Sequence, residues 1–193
     1  MTIQLTRSSA DSFAQTYPNA TAYLRIAFGV ALLALFSQLA LPLKPVPITL
    51  QTVAVLFVGM TFPRRHAVQS VLAYLGLGVL GLPFFSHANH GFAYLMGPTF
   101  GYLMGFILAA AVVSTLRDRR FSKPTVINQL MLGVIGTCCI YAPGVLWLSK
   151  LMGLNAAIQV GLLPFFIPGM IKIGILTSLL QLHQRVWKQC KQK

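Results

Sequence analysis

Acidic residues are almost absent from this chain, since Asp11 and Asp118 are the only two among 193 residues, against fifteen lysines and arginines. Charged residues make up 9% of the sequence, whereas a soluble domain contains about 25%. With two carboxylates, both in polar stretches, catalysis by a carboxylate pair has almost no residues to use. The 56% of hydrophobic residues instead predict an all-α membrane protein that crosses the bilayer several times.

Cysteine clusters and nucleotide-binding motifs are also scarce. Three cysteines define no disulfide framework, and four scattered histidines predict no metal site. Residues 76–81 match G-x-G-x-x-G, but they lie inside an apolar run with no preceding strand, which favours close helix packing over dinucleotide binding. No Walker A sequence occurs, which excludes ATP hydrolysis by that route. We therefore expect no enzyme activity, no cofactor and no metal.

The net charge is +13, and the basic residues lie at the ends of apolar runs. A basic chain raises nucleic acid as a partner, but positive charge at helix ends is better explained by lipid phosphates and membrane topology. We expect contacts with membrane lipids and none with nucleic acid.

The apolar runs predict six membrane-spanning helices, each long enough to cross a hydrocarbon core of roughly 30 Å. Two interpretations fit the last of them: one long kinked helix over 155–183, or an interfacial segment over 155–167 followed by a span that begins at Pro168. Pro164 and Pro168 favour the second, because proline suits the first turn of a helix and disrupts its interior. The other predicted spans are about 22–43, 46–62, 67–84, 97–116 and 126–148.

The distribution of positive charge predicts the orientation. With six spans, twelve lysines and arginines fall on the side of the termini, and only Lys44 and Lys150 fall on the other. The positive-inside rule then places both termini in the cytoplasm and the loop over 85–96 outside. We expect a multi-pass protein of the cell membrane, with a polar N-terminal segment over 1–21, a transmembrane domain over 22–186 and a basic tail over 187–193.

One lysine stands alone in an apolar run. Lys172 follows the sequence LPFFIPGMI, and no other charged residue lies within ten positions on either side. A lysine at the centre of a spanning helix costs about 2.5–3.5 kcal/mol on insertion scales. Lys172 therefore either snorkels to the nearer membrane surface or serves a function within the membrane.

Neutral hydrogen-bonding residues accompany this lysine in other spans. In a bilayer their polar groups need partners, which are either neighbouring helices or a polar ligand. A single cation, neutral polar groups and aromatic walls fit a small amphipathic carboxylate. The alternative is a subunit of a membrane assembly whose polar groups only pack helices. The polar residues concerned are Thr49, Gln51, Thr52, Thr99 and Tyr102, and the outer loop adds SHANH over 86–90, either an ordinary turn or a lid.

Four segments resemble, in family order, the BioY family, the biotin-specific substrate-binding (S) components of energy-coupling factor (ECF) vitamin transporters. The likeness covers about residues 22–185. The segments are PVPITLQT over 45–52, LGVLGLP over 77–83, GPTFGYLMGF over 97–106, and LPF over 163–165 followed by Lys172.

The resemblance implies a six-helix fold and uptake of biotin without covalent chemistry. It implies that partner subunits drive the transport, namely a transmembrane coupling subunit and two ATPase subunits. A solitary transporter for biotin or for another small carboxylate vitamin is the alternative within this class.

The resemblance also implies roles for individual residues. Lys172 would bind the carboxylate of biotin, and Asn89 would contact its ureido head or the lid. Ala27 and Ala31 form a small-xxx-small pattern that lets another backbone approach, and they match the motif with which the family docks its coupling subunit. The remaining expected pocket residues are Gln51, Thr49, Tyr102 and Thr99.

The sequence departs from the family at an acid. The family usually carries an aspartate three positions before the lysine, where this chain has Gly169, or Met170 if the Pro-Gly pair is aligned. Without this acid, Lys172 keeps more unpaired charge for a ligand carboxylate but is less well oriented. The family's glycine-rich outer loop is likewise replaced by residues 86–90.

Overall fold

The computed structural model describes the backbone of residues 18–192 and the side chains of residues 20–185. Four segments are long and apolar enough to cross a membrane: Ala20–Gln38, Phe100–Arg119, Val126–Met152 and Leu154–Arg185. The elements are α1 Pro18–Gln38, β1 Ala40–Leu41, β2 Ile48–Thr49, α2 Gln51–Thr61, α3 Arg64–Val79, a 3₁₀ turn Ser86–Ala88, α4 Gly91–Leu95, α5 Phe100–Arg119, α6 Val126–Met152, α7 Leu154–Gly161 and α8 Leu163–Gln192.

A hairpin replaces the ends of the first two predicted spans. Helix α1 begins at Pro18 and ends at Gln38, and α2 begins at Gln51, so the predicted boundaries at 43 and 46 are wrong. Between the helices, β1 pairs antiparallel with β2, with Ala40 opposite Thr49. Prolines at 42, 45 and 47 explain the difference, because each lacks a backbone donor and restricts the residue before it. The segment before α2 is therefore not helical and includes the strand β2, and its carbonyl groups are available for contacts outside a helix.

The C-terminal part combines features of both interpretations. The favoured one predicts a separate segment over 155–167 before the last span. A short helix, α7, does precede that span, but α8 begins at Leu163 and not at Pro168. Pro164 lies in the first helical turn, where a missing N–H costs little, and Pro168 is accommodated inside the helix. Lys172 therefore lies about two and a half turns into α8, deeper than predicted. Helix α8 also continues to Gln192, into the predicted tail.

Helix α2 lies at the centre of the bundle, where it contacts α1, α3, α5, α6 and α8. Its position explains its composition, because a helix surrounded by others is apolar on every side. Ala54, Val55 and Val58 have no exposed surface. The polar residues at its start are consequently held inside the protein.

Helices α5 and α6 are in direct backbone contact. A Cβ added at Gly105 would lie 2.8 Å from both the Cα and the carbonyl oxygen of Ile140, and 2.9 Å from the carbonyl oxygen of Cys139. Gly101, one turn earlier, faces Pro143 and Gly144 of α6 in the same way. Small residues four apart let two membrane helices approach this closely. The pair forms one rigid wall of the cavity described next.

Candidate binding site

Lys172 is buried inside the protein. Its side chain is 8% exposed, and Nζ donates a hydrogen bond of 2.6 Å to the backbone carbonyl of Thr49, in the segment before α2. The one acidic residue among those that the structure describes, Asp118, pairs with Arg117 at 2.7 Å. Lys172 therefore has no acidic partner in the described part of the chain. An ammonium group has three donors, so two remain for a ligand.

A cavity adjoins this ammonium group. Its atom-free space, counted with the part that opens towards the surface, is about 510 Å³. Most of its lining is aromatic or aliphatic, with a few polar groups. The lining residues are Val46, Pro47, Thr49, Gln51, Thr52, Tyr74, Phe85, Ser86, Tyr94, Thr99, Tyr102, Leu103, Phe106, Ile140, Tyr141, Phe165 and Lys172.

A chain of hydrogen bonds begins at Thr49. Its hydroxyl donates to Gln51 Oε1 at 3.1 Å, and Gln51 Nε2 donates to Tyr74 Oη at 2.5 Å. The hydroxyl of Tyr74 then donates to the carbonyl of Phe84 at 3.0 Å. Both predicted pocket residues, Thr49 and Gln51, thus lie at the cavity beside Lys172. Their contacts connect the cavity to the loop that follows α3.

Tyr102 lines the cavity with its ring. Its hydroxyl donates to the carbonyl of Gly161 at 2.8 Å, and that of Tyr141 donates to the carbonyl of Phe165 at 3.2 Å. The three rings of Tyr102, Tyr141 and Phe165 lie 6.1–6.4 Å apart between centroids. Because both hydroxyls bind backbone carbonyls, this wall offers a ligand mainly apolar surface.

Thr99 lies close to the loop over 85–96, and Asn89 lies within this loop. Thr99 lines the cavity and also an adjoining depression, while Asn89 lines the depression alone. The amide of Asn89 donates to the carbonyl of Ser86 at 2.7 Å. The structure therefore brings Thr49, Gln51, Thr99, Tyr102 and Lys172 to one cavity and leaves Asn89 at its rim.

Several polar residues outside the expected pocket set also line the cavity, among them Thr52, which was expected only to need a hydrogen-bond partner. Thr52 Oγ1 is buried without a hydrogen-bond partner in the described residues. Its place one residue after Gln51 was a signal in the sequence. Ser86 and Tyr94 share a hydrogen bond of 2.7 Å between their hydroxyls. Nothing in the sequence indicates that Tyr74, in the middle of α3, reaches this cavity.

Ala27 and Ala31 do not line this cavity. Both are exposed on α1, together with Tyr23, Leu24 and Leu35. Two small residues one turn apart on an exposed apolar face leave room for another helix.

The profile of the BioY family matches residues 7–191, nearly the whole chain. The chain belongs to the BioY family.

Relatives extend this likeness over most of their length. A "Probable biotin transporter BioY" of Rickettsia prowazekii (strain Madrid E) is 31% identical over 156 residues, which cover 81% of this chain and 79% of the relative. A "Biotin transporter BioY" of Thermotoga maritima (strain ATCC 43589 / DSM 3109 / JCM 10099 / NBRC 100826 / MSB8) is 36% identical over 146 residues, covering 75% of this chain and 85% of the relative.

A solved structure shares the fold of this chain. It is described as "Crystal structure at 2.1 A of the S-component for biotin from an ECF-type ABC transporter", with a TM-score of 0.78 and 22% identity over 87% of this chain and 93% of the other. At this identity the likeness shows a common fold.

Proposed function

We propose that this protein captures biotin from outside the cell and delivers it to the cytoplasm, as the S component of an ECF-type transporter. The observation that carries the proposal is the buried ammonium group of Lys172, which faces an aromatic cavity without an acidic partner in the described residues. Biotin offers the matching chemistry, since it joins a carboxylate to an apolar chain and a polar ureido ring. Transport makes and breaks no covalent bond, and we propose no cofactor.

The proposed pose of biotin follows from the polar groups at the two ends of the cavity. The carboxylate of biotin accepts hydrogen bonds from Lys172 at the inner end, where an ion pair inside protein is much stronger than in water. The aliphatic chain packs on the ring of Tyr102. The ureido group lies towards the outer loop, where Asn89 and Thr99 provide polar contacts. The backbone carbonyl of Thr49 holds Lys172, and Gln51 completes the polar side of the pocket.

Binding of radiolabelled biotin to the purified protein tests this function. We expect saturable binding of one biotin per chain, with competition by excess unlabelled biotin and none by a neutral sugar. Absence of saturable binding in a folded preparation overturns the proposal and favours a helix-packing subunit. Uptake by cells with and without the coupling module separates an ECF component from a solitary transporter.

We also propose that six helices, α1, α2, α3, α5, α6 and α8, cross the cell membrane, with both termini in the cytoplasm. Contacts between helix ends support alternating directions: Arg117 at the end of α5 donates to Phe62 at the end of α2, at 2.8 Å. At the opposite end, Trp147 near the end of α6 donates to Gly97 before α5, at 3.0 Å. The excess of basic residues on the side of the termini supports the orientation. A reporter that is active only outside the cytoplasm can be fused to either terminus. Activity of such a fusion would contradict this orientation.

The proposed partners are a transmembrane coupling subunit, two ATPase subunits and the surrounding lipids, with no nucleic acid. Ala27 and Ala31 would form the docking surface on α1.

In this proposal residues 22–186 are the biotin-binding transmembrane domain. Residues 1–17 of the preceding polar segment lie outside the described residues, as do the side chains of the tail over 187–193.

Larger side chains on the docking surface should impair transport without affecting the binding of biotin. In the Ala27→Leu, Ala31→Leu double variant, we expect uptake with the coupling module to fall by about fivefold or more, because the added side chains prevent close backbone approach. The affinity of the purified variant for biotin should equal that of the wild type. Ala142→Leu, at an exposed alanine on α6, is the matched control. Wild-type uptake by the double variant would count against this surface.

A further inference from the structure

The end of α1 holds the loop that follows α3. Gln38 is the last residue of α1 and is exposed. Its Oε1 accepts a hydrogen bond of 2.9 Å from the backbone N–H of Ala88, while its Nε2 lies 3.1 Å from the carbonyl oxygen of Phe85 and 3.3 Å from that of Pro83. Next to it, Ser37 Oγ lies 2.5 Å from the carbonyl oxygen of Phe84. One glutamine therefore contacts both ends of residues 83–88, which we call the outer strap.

The outer strap forms part of the cavity wall. The ring of Phe85 is 1% exposed, stacks on Tyr94 at 5.2 Å and meets Tyr74 edge-on at 5.8 Å. Ser86 also lines the cavity. Gly78 provides the space for this packing, since a Cβ there would lie 2.5 Å from the Phe85 ring. An outward movement of the strap would withdraw Phe85 and open the cavity on this side.

The strap is also held in an unfavourable backbone conformation. His87 and Ala88 both have a φ of 58°, in the left-handed region that residues other than glycine rarely adopt. The backbone N–H of Ala88 donates to Gln38. A conformation of this kind persists when its surroundings hold it, so loss of the glutamine should let the strap relax.

We propose that Gln38 is a latch that keeps the outer strap closed over the cavity and thereby sets how long a bound ligand stays. This rests on the proposed function, in which the ligand is biotin arriving from outside. Gln38 does not line the cavity, so it is a positioning residue that acts through Phe85 and Ser86. Because its side chain is exposed and lies outside the core, its removal should leave the fold intact.

The test uses Gln38→Met, which keeps the length of the side chain and removes its hydrogen bonds. Loss of two or three modest hydrogen bonds predicts that biotin dissociates about tenfold faster or more, without slower association. In the ligand-free protein, amide hydrogen exchange over residues 83–89 should rise by a similar factor. Gln69→Met is the matched control, because Gln69 is exposed on α3 and makes no side-chain hydrogen bond within the described residues.

The outcomes are distinguishable from those of the proposed function. Rates are measured only on binding-competent molecules, so partial misfolding of the variant does not affect them. If amide hydrogen exchange over residues 83–89 in Gln38→Met equals that of the wild type, Gln38 is not a latch. If exchange is faster but biotin dissociates from the variant at the wild-type rate, the latch does not affect the ligand. If the wild type binds no biotin, the proposed function fails, while exchange in the ligand-free protein still decides whether Gln38 holds the strap.

Discussion

Lys172→Met should weaken the binding of biotin by about a hundredfold or more, because truncating one member of a buried ion pair costs about 2–5 kcal/mol. The ligand carboxylate would then enter the cavity without a cation. The measurement is equilibrium binding of labelled biotin to the purified variant. Lys150→Met is the control, since Lys150 is exposed at the end of α6 and should leave the affinity unchanged.

The same substitution should not destabilise the ligand-free protein. A buried ammonium group without an acid costs about several kcal/mol of desolvation, whereas leaving the Thr49 carbonyl without its hydrogen bond costs about 1–3 kcal/mol. The first effect is the larger, so we expect the ligand-free variant to melt at the same temperature as the wild type or higher. A clearly lower melting temperature would indicate that Lys172 serves mainly to hold helices together.

Gly105→Val should be the most damaging substitution for the fold. The added atoms would collide with backbone atoms of Ile140 and Cys139, which cannot rotate away as a side chain can. Overpacking costs about 1–3 kcal/mol and occasionally more, and backbone atoms that cannot move aside put this substitution at the upper end. Separating α5 from α6 would also distort the wall that carries Tyr102. We expect a large drop in melting temperature and loss of biotin binding.

Gly76→Val is the control for this effect. Gly76 lies in α3, and a Cβ added there would meet no atom within 4 Å among the described residues outside its own stretch of helix. We expect this variant to differ from the wild type by less than about 0.5 kcal/mol. Equal melting of the Gly105 and Gly76 variants would contradict the direct contact between α5 and α6.

The helical membrane fold could be predicted because it depends on composition, and a buried cation at Lys172 was one of the two alternatives that the sequence offered. A long apolar run with a single lysine predicts a buried cation wherever the chain offers it a partner. Its partner could not be predicted in this way. Thr49 was expected to contribute its side chain, yet its backbone carbonyl binds Lys172, and this carbonyl is available because the prolines before α2 keep the segment from being helical.

The boundaries at proline residues were the weakest part of the prediction. Pro168 was taken as the start of the last span, whereas Pro164 already occupies a first turn, so α8 begins earlier and places Lys172 deeper. Contacts between segments that are distant in the sequence could not be predicted either. Tyr74 reaches the cavity, and Gln38 reaches the outer strap, only because the helices are packed in this particular arrangement.

The central claim is that Lys172 binds the carboxylate of biotin. The most direct test compares the affinity of biotin with that of its alcohol analogue, which lacks the carboxylate, in the wild type and in Lys172→Met. We predict that the wild type prefers biotin by about a hundredfold and that the variant binds both compounds as weakly as the wild type binds the alcohol. Equal affinity of the wild type for the two compounds, or an undiminished preference for biotin in the variant, would contradict the account.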